Sequence, residues 1–296
     1  MSMKVVMMSK TPLAGAPYEN MCCLNKYTDV KVRWICWRDR YADGRVFPSD
    51  LIWGRDTQAC REVLKEADII HIQNEIFNNA DNIICDKRKL VQFHSVPKRR
   101  TYDTFASMTK HVYTLSQPLQ RREYHGLAGL PNMMDPEKYK PVDSRNWDRV
   151  RITFAPTNKW NINMIGTKGM HEVTDVLNRL GGIADIKIYS SVSYVDNLDI
   201  KRNSDILIDD VINNTFHRTS LEGSCFGLAV ITSTGEEGWI KCNIRNLEGT
   251  LRRLINDRDE LMKWKDKSRQ WIEKWWHPID MCEKFVRAYR ECLTNK

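Results

Sequence analysis

The alternation of short apolar runs with longer amphipathic stretches is the feature that most limits how this chain can fold. Runs of this length, separated by helical sequence, are typical of α/β proteins with parallel sheets. The predicted strands are residues 4–8, 30–36, 68–72, 90–93, 112–115, 151–155, 186–189, 205–208 and 229–232. The predicted helices are residues 56–67, 168–180, 218–225 and 247–256, followed by a Trp-rich helical stretch over 259–293 that breaks near His277-Pro278.

A polar segment with three prolines separates two cycles of this pattern. We therefore predict an N-terminal Rossmann-like domain over 1–130, a linker over 131–146 and a C-terminal Rossmann-like domain over 147–276. A last helix, 277–296, is predicted to return to the first domain. In doubly wound sheets ligands bind at the carboxyl ends of strands, so residues directly after strands are the first candidates for a site.

Charge and cysteine content narrow the function classes. The 296 residues include 46 Lys and Arg against 38 Asp and Glu, a net charge of +8. This excess favours acidic partners such as phosphorylated ligands, nucleic acid or anionic lipid surfaces, or else it reflects a basic surface without a ligand. The nine cysteines contain no C-x-x-C pair, which indicates reduced thiols in the cytoplasm rather than a zinc or disulfide site. No apolar run approaches the ~20 residues of a membrane span, and residues 1–10 lack a signal-peptide pattern.

The segment 214–231 carries the strongest signal for a ligand. It reads N-T-F-H-R-T-S-L-E-G-S-C-F-G-L-A-V-I, a predicted helix between two predicted strands. The N-terminus of such a helix offers free N–H groups and a positive dipole end to a diphosphate. Glu222 is placed to accept hydrogen bonds from ribose hydroxyls, and Gly227 is expected to end the helix in a left-handed conformation. The alternative is an ordinary amphipathic helix followed by glycine and a strand.

This segment resembles the donor-binding signature of retaining GT-B glycosyltransferases, family four in particular. That signature reads roughly E-P-F-G-L-x-x-L-E-A-x-A-x-G-x-P-V-I. The residues that match in register are Phe216, Leu221, Glu222, Gly227, Val230 and Ile231. The resemblance implies an α/β GT-B fold, with two Rossmann-like domains facing a central cleft. The chain departs from the signature at Asn214, where the family has a glutamate that contacts the transferred sugar, and at His217, where it has glycine.

A second segment supports the resemblance. Residues 155–158 and 166–169 are similar to the family's H-A-P-T/S-x-x-x-K-G stretch, in which a basic residue and the lysine hold the diphosphate. Lys168 matches that lysine, and a cation at a helix N-terminus neutralises charge on the leaving nucleoside diphosphate. Asn158 and Lys159 stand where the family often has arginine. A Lys-Gly pair by itself is frequent in proteins.

Three features of the first half fit the same family. The loop 14–17 follows the first strand, and its Gly15 permits close backbone approach to a donor phosphate, although a plain loop is the alternative. His94 follows a strand where the family has a histidine near the donor sugar, and His71 is read as ending the previous strand. The alternative for each histidine is a packed side chain that contacts no ligand. The segment 131–135 resembles the family's interdomain P-N-G-V-D turn.

Together these patterns predict a metal-independent, retaining glycosyltransferase that uses a nucleotide sugar, with a UDP-sugar as the first choice and no other cofactor. The predicted catalytic residues are His94, Asn214 and Glu222. The predicted donor-binding residues are Gly15, Asn158, Lys159, Lys168, His217, Arg218 and Glu222. The acceptor is a hydroxyl of an unidentified partner, either a glycan, a lipid or a modified base in DNA. Basic residues at 87–100 and 121–122 place it on the first domain.

Two other classes stay open. Asn214 motivates a non-catalytic nucleotide- or nucleic-acid-binding protein on a GT-B-like scaffold. A sugar-nucleotide epimerase of the same architecture is the third possibility.

Overall fold

The computed structural model describes residues 2–41, 44–75, 81–95, 97–115, 127–142, 148–156 and 168–294. The chain forms two compact units. Unit 1 comprises Met1–Met133 with Pro278–Lys296, and unit 2 comprises Met134–His277. Each unit is built around its own sheet.

Unit 1 contains a seven-stranded sheet in which all strand pairs are parallel. Its strands are β1 (Lys4–Ser9), β2 (Lys31–Cys36), β3 (Leu51–Ile52), β4 (Ile69–Gln73), β5 (Arg88–Phe93), β6 (Val112–Leu115) and β7 (Gly129–Leu130). The spatial order is β3-β2-β1-β4-β5-β6-β7. The direction of winding therefore reverses between β1 and β4, and such switch points are where open α/β sheets bind ligands.

Unit 2 contains a five-stranded parallel sheet in the order β12-β11-β10-β8-β9. Its strands are β8 (Arg151–Phe154), β9 (Asp185–Ile188), β10 (Ile206–Ile208), β11 (Ala229–Thr232) and β12 (Ile240–Lys241). These strands are buried on both faces at β10 and β11, as expected for a central parallel sheet covered by helices.

The helices cover both faces of each sheet. They are α1 (Ala16–Tyr27), α2 (Thr57–Glu66), α3 (Asp81–Ile84), α4 (Arg99–Met108), α5 (Met170–Leu180), α6 (Tyr194–Arg202), α7 (Arg218–Cys225), α8 (Leu247–Asn256), α9 (Arg258–Trp275) and α10 (Pro278–Thr294). Helices α1 to α4 and α10 belong to unit 1, and α5 to α9 belong to unit 2. In unit 1, α1 and α10 pack on each other and on the sheet. In unit 2, α7 and α9 cover β11.

Most predicted elements are confirmed, and several have the predicted bounds, among them β6, β11, α7 and α8. The Trp-rich stretch is two helices, since α9 ends at Trp275 and α10 begins at Pro278. Proline is tolerated there because the first turn of a helix needs no N–H donor.

Helices α1, α3, α4 and α6 were not predicted. The expectation of a loop over residues 14–17 is wrong for Ala16 and Pro17, which form the first turn of α1. Helix α6 is short and its apolar residues do not concentrate on one face, so its sequence carries little periodic signal.

Within the described part of the chain, no helix combines the length and the apolar character that a membrane crossing requires.

Close packing of α7 on the sheet depends on Gly223. A Cβ atom at this position would lie 2.4 Å from Leu207 Cδ2 and 3.1 Å from Val230 Cγ2. Leu207 is fully buried, so it has little room to move. We expect Gly223→Ala to destabilise unit 2 by ~1–3 kcal/mol through overpacking, measured by urea unfolding. The matched control is Gly249→Ala in α8, where no atom lies within 4 Å of the added Cβ. That control should be neutral or stabilising by up to ~1 kcal/mol. Equal effects of the two substitutions would contradict this packing.

Candidate functional site

Three parts of unit 2 meet at the Asp209 side chain, at the carboxyl edge of the sheet. Asp209 directly follows β10 and is fully buried. Its Oδ1 atom lies 2.5 Å from the Lys168 ammonium and 3.2 Å from His217 Nδ1. Its Oδ2 atom accepts hydrogen bonds from the His217 backbone N–H at 2.7 Å and from Ser220 Oγ at 2.6 Å. Asp209 therefore joins the turn before α5 to the N-terminus of α7.

The charge state of Asp209 follows from these contacts. Burial by itself raises the pKa of a carboxyl group, but Lys168 and His217 together hold the pKa of Asp209 well below its usual 3.8. The carboxylate is thus negative at neutral pH, and the nearly inaccessible Lys168 ammonium is its counter-charge. Lys168 Nζ also lies 3.4 Å from Thr219 Oγ1, in the first turn of α7. The cation predicted to meet a diphosphate therefore stands at the start of α7, already engaged by Asp209.

Strained backbone occurs on both sides of this cluster. Lys168 has φ of 54° and Asn214 has φ of 48°, values that non-glycine residues seldom adopt. Next to Lys168, Gly169 is the N-cap of α5, and a Cβ there would lie 2.2 Å from Ile212 Cδ1. The turn before α5 is therefore in close contact with the loop that follows β10. Left-handed non-glycine residues concentrate at binding sites, where surrounding contacts hold them in place.

Glu222 lies one turn further along α7 and is buried between two cations. Its Oε2 atom contacts the Lys201 ammonium, and its Oε1 atom lies 3.2 Å from Arg218 Nε. Arg218 also donates a hydrogen bond to the Tyr194 hydroxyl at 2.5 Å. A ribose at Glu222 would therefore share this carboxylate with Arg218 and Lys201. Lys201 was missed because it belongs to α6, a helix that the sequence pattern did not reveal.

The other predicted residues of unit 2 have varied outcomes. Asn158 and Lys159 lie outside the described residues. His217 is the N-cap of α7 with its ring on Asp209, so it is neither a free loop residue nor a residue of the helix itself. Asn214 is exposed in the loop before α7. Gly227 has φ of 65° just after α7, which confirms the predicted left-handed end of the helix.

In unit 1, Gly15 closes a turn of three consecutive left-handed residues. Leu13, Ala14 and Gly15 have φ values of 47°, 54° and 80°. The Ala14 N–H donates a hydrogen bond to the Tyr41 hydroxyl at 2.8 Å. Gly15 is the N-cap of α1, so this turn leads from the segment after β1 into a helix N-terminus.

The two predicted histidines of unit 1 differ in environment. His94 follows β5, and its backbone N–H donates to Asn74 Oδ1 at 2.6 Å, which ties together the ends of β4 and β5. His71 lies within β4 rather than at its end, and its Nδ1 atom is 2.9 Å from the Tyr289 hydroxyl of α10. Burial and the neighbouring charge of His94 lower the pKa of His71 to about 3. His71 is therefore a neutral, packed residue at physiological pH.

Two further properties concern metals and thiols. The described ranges contain no group of three or more His, Cys, Asp or Glu side chains placed to hold a metal ion. All nine cysteines are free thiols.

No family model and no curated protein matches this chain by sequence. Solved structures do match it across the whole chain. The catalytic domain of starch synthase IV from Arabidopsis thaliana, bound to ADP and acarbose, matches at a TM-score of 0.65 with 11% identity, covering 99% of this chain and 100% of that one. Sucrose-phosphate synthase from Thermosynechococcus elongatus matches at 0.60 with 11% identity and the same coverage.

The chain therefore has the GT-B fold. A putative UDP-N-acetylglucosamine 2-epimerase from Listeria monocytogenes also matches, at a TM-score of 0.50 and 11% identity, covering 100% of this chain and 98% of that one. At such identities the likeness concerns the fold alone. Since glycosyltransferases and an epimerase share it, the chemistry must be argued from this chain's own residues.

The Asp209–Lys168 pair generates a prediction about acid stability. The depressed pKa of Asp209 means that its stabilisation is fully present above the unfolded value near 3.8 and is lost as pH falls through the lower folded value. Asp209→Asn leaves Lys168 buried without its counter-charge, so we expect a loss of ~3–5 kcal/mol at pH 7. The difference from the unsubstituted chain should shrink as the pH is lowered below 3.8, measured by urea unfolding. Glu66→Gln, which removes the exposed partner of Lys4, should change stability little. A difference that stays constant with pH would refute the assigned charge state.

Proposed function

We propose that this chain is a glycosyltransferase that moves a sugar from a nucleotide sugar, a UDP-sugar in the first instance, to a hydroxyl acceptor with retention of configuration. The observation that carries the proposal is the cluster that Asp209 forms with Lys168, His217 and Ser220. It places Lys168 at the first turn of α7, and it leaves Arg218 and Glu222 one turn apart on the same helix. This order of groups suits a diphosphate followed by a ribose.

The diphosphate would lie at the N-terminus of α7. The dipole of that helix attracts it, and the Lys168 ammonium, which is paired with Asp209, lies beside the first turn. In the transfer step the bond from the anomeric carbon to the diphosphate oxygen breaks, and the acceptor hydroxyl oxygen bonds to that carbon on the same face. The hydroxyl proton passes to the departing diphosphate. Lys168 stabilises the charge that develops on the leaving oxygen.

Further residues are assigned to the ribose and to the transferred sugar. Glu222 would accept hydrogen bonds from the ribose hydroxyls, and Asn214 and His94 would orient the sugar.

Lys168 and Arg218 supply the positive charge that a divalent metal supplies in other transferases, so we propose a reaction without metal. The free thiols fit a reducing compartment such as the cytoplasm. Nucleotide binding is supported by the ADP named for the starch synthase and the UDP-sugar named for the epimerase.

The donor site can be tested by thermal shift with UDP. We expect a UDP-dependent rise in the melting temperature of the unsubstituted chain and its loss in Lys168→Met. Because Lys168→Met leaves Asp209 without its main counter-charge, the double variant Lys168→Met/Asp209→Asn removes both charges and restores neutrality.

The double variant should regain stability without regaining the UDP shift. Lys187→Met, an exposed lysine of β9, is the control and should keep the shift. A double variant that binds UDP normally would show that Lys168 serves only to neutralise Asp209.

The position of Asn214 yields a second test. Glycine tolerates its left-handed backbone, so Asn214→Gly removes the amide without strain. We expect unchanged UDP binding and about tenfold slower release of UDP from the UDP-sugar, the equivalent of one hydrogen bond. Asn214→Glu should preserve or raise that rate.

The same assay separates the competing classes. Release of UDP indicates transfer to water or acceptor, whereas a changed sugar nucleotide indicates an epimerase. UDP binding without turnover by either the unsubstituted chain or Asn214→Glu would support the non-catalytic binding protein.

A further inference from the structure

A cavity of about 470 Å³ lies in unit 1, outside every position singled out from the sequence. It is found at the carboxyl ends of β2 and β3. Its lining residues are Trp37, Arg38, Asp39, Arg40, Tyr41 and Ile52. The volume falls within the ~300–1,000 Å³ of small-ligand sites, and the carboxyl edge of a parallel sheet is where such sites form.

The wall of this cavity is held in place by backbone hydrogen bonds. The Trp37 N–H donates to the Ser9 carbonyl at 3.0 Å, which fixes the chain as it leaves β2. The Phe47 N–H donates to the Asp39 carbonyl at 2.9 Å, and the Tyr41 N–H donates to the Arg45 carbonyl at 3.0 Å. The segment after β2 therefore folds back on itself and presents its side chains from a braced backbone.

Tyr41 connects the cavity to the strained turn that ends at Gly15. Its hydroxyl accepts the Ala14 N–H at 2.8 Å. Its ring is edge-on to Phe47, with centroids 5.3 Å apart, and the Arg45 guanidinium lies 4.7 Å from its centroid. These contacts fix the orientation of the ring. The cavity thus adjoins the turn predicted to approach the donor phosphate.

Positive charge dominates the surroundings. Arg38 and Arg40 line the cavity, and the acid among its lining residues, Asp39, has its Oδ1 atom 3.3 Å from Arg40 Nε. The sequence of unit 1 holds 24 Lys and Arg against 17 Asp and Glu, so it carries seven of the eight excess positive charges of the chain. The cavity therefore combines aromatic rings with arginines in the basic half of the molecule. Such a combination suits a planar, anionic ligand.

We propose that this cavity binds one nucleotide of a single-stranded nucleic acid on the acceptor side of the reaction. The base stacks on the ring of Trp37, and the flanking phosphates meet Arg38 and Arg40. Stacking of this kind tolerates any base, and arginines that track the backbone are the usual companion of such aromatic platforms. The inference rests on the proposed function in that it names the class of the acceptor.

An anionic lipid surface is the alternative partner for this basic cavity. Stable adsorption to a membrane needs either exposed apolar side chains beside the basic ones or a cluster of about four to eight Lys and Arg, and two arginines line this cavity. In the described part of unit 1 the large exposed apolar residues are Val46, Met108, Ile279 and Leu293. Of these, Val46 alone lies in the segment that forms the cavity wall. The cavity therefore favours nucleic acid.

The test is fluorescence anisotropy of a labelled single-stranded DNA of roughly 12 nucleotides, with the full chain and without sugar nucleotide, at about 50 and 200 mM salt. We expect Arg38→Gln/Arg40→Gln to weaken binding at least about tenfold and to lower the salt slope by about two. Trp37→Leu should weaken binding to a similar extent but leave the salt slope unchanged, because it removes stacking and no charge. Asp39→Asn should strengthen binding about twofold.

The matched control is Arg61→Gln/Lys65→Gln, which removes two exposed charges of α2 in the same unit. It should alter affinity by less than about threefold. Three outcomes would overturn the inference: no binding at low salt, cavity variants that bind as the unsubstituted chain does, or cavity-dependent sedimentation with phosphatidylglycerol vesicles instead of DNA binding.

The UDP thermal shift, measured on the same preparations, distinguishes failure of the nucleic-acid proposal from failure of the donor-site proposal. Loss of DNA binding with the UDP shift intact would reject only the nucleic-acid site. Absence of the UDP shift in the unsubstituted chain would reject the donor site instead.

Discussion

The buried ion pair between Asp209 and Lys168 is the interaction on which the organisation of unit 2 depends. Both side chains are almost inaccessible, so neither charge is tolerable without the other. Asp209 also accepts hydrogen bonds from the His217 backbone and from Ser220, which fixes where α7 begins. One carboxylate therefore sets the relative positions of a cation and a helix N-terminus, two kinds of group that attract phosphate in proteins.

This arrangement has a consequence for ligand binding. Lys168 is paired with Asp209, and Glu222 is paired with Lys201 and Arg218. A nucleotide would add its charges to pairs that already exist. Under the proposed function, a diphosphate would gain from Lys168 only what Asp209 does not already take, and a ribose would share Glu222 with two cations. The groups of the candidate site are preorganised, since they hold their positions through contacts within unit 2.

Local sequence predicted much of the fold because parallel strands buried on both faces are apolar along their whole length. The strands β6 and β11 and the helices α7 and α8 needed no tertiary information. The same holds for Gly227, since a helix followed by glycine and a strand specifies a left-handed turn at that residue. Helix α6 escaped notice because its nine residues lack amphipathic order, and its stability comes from packing.

What the sequence alone determined is the α/β class, the restart of the pattern near Pro131, and the identity of Lys168, Arg218 and Glu222 as candidates around one helix. What only the tertiary structure decided is how those charges are paired. Asp209 and Lys168 are far apart along the chain, as are Lys201 and Glu222, and Ala14 and Tyr41. Pairs of this kind leave no periodic or local signal, because each depends on which strand ends the fold brings to one edge. The physical reason is that burial makes a counter-charge necessary, and folding determines which one is near.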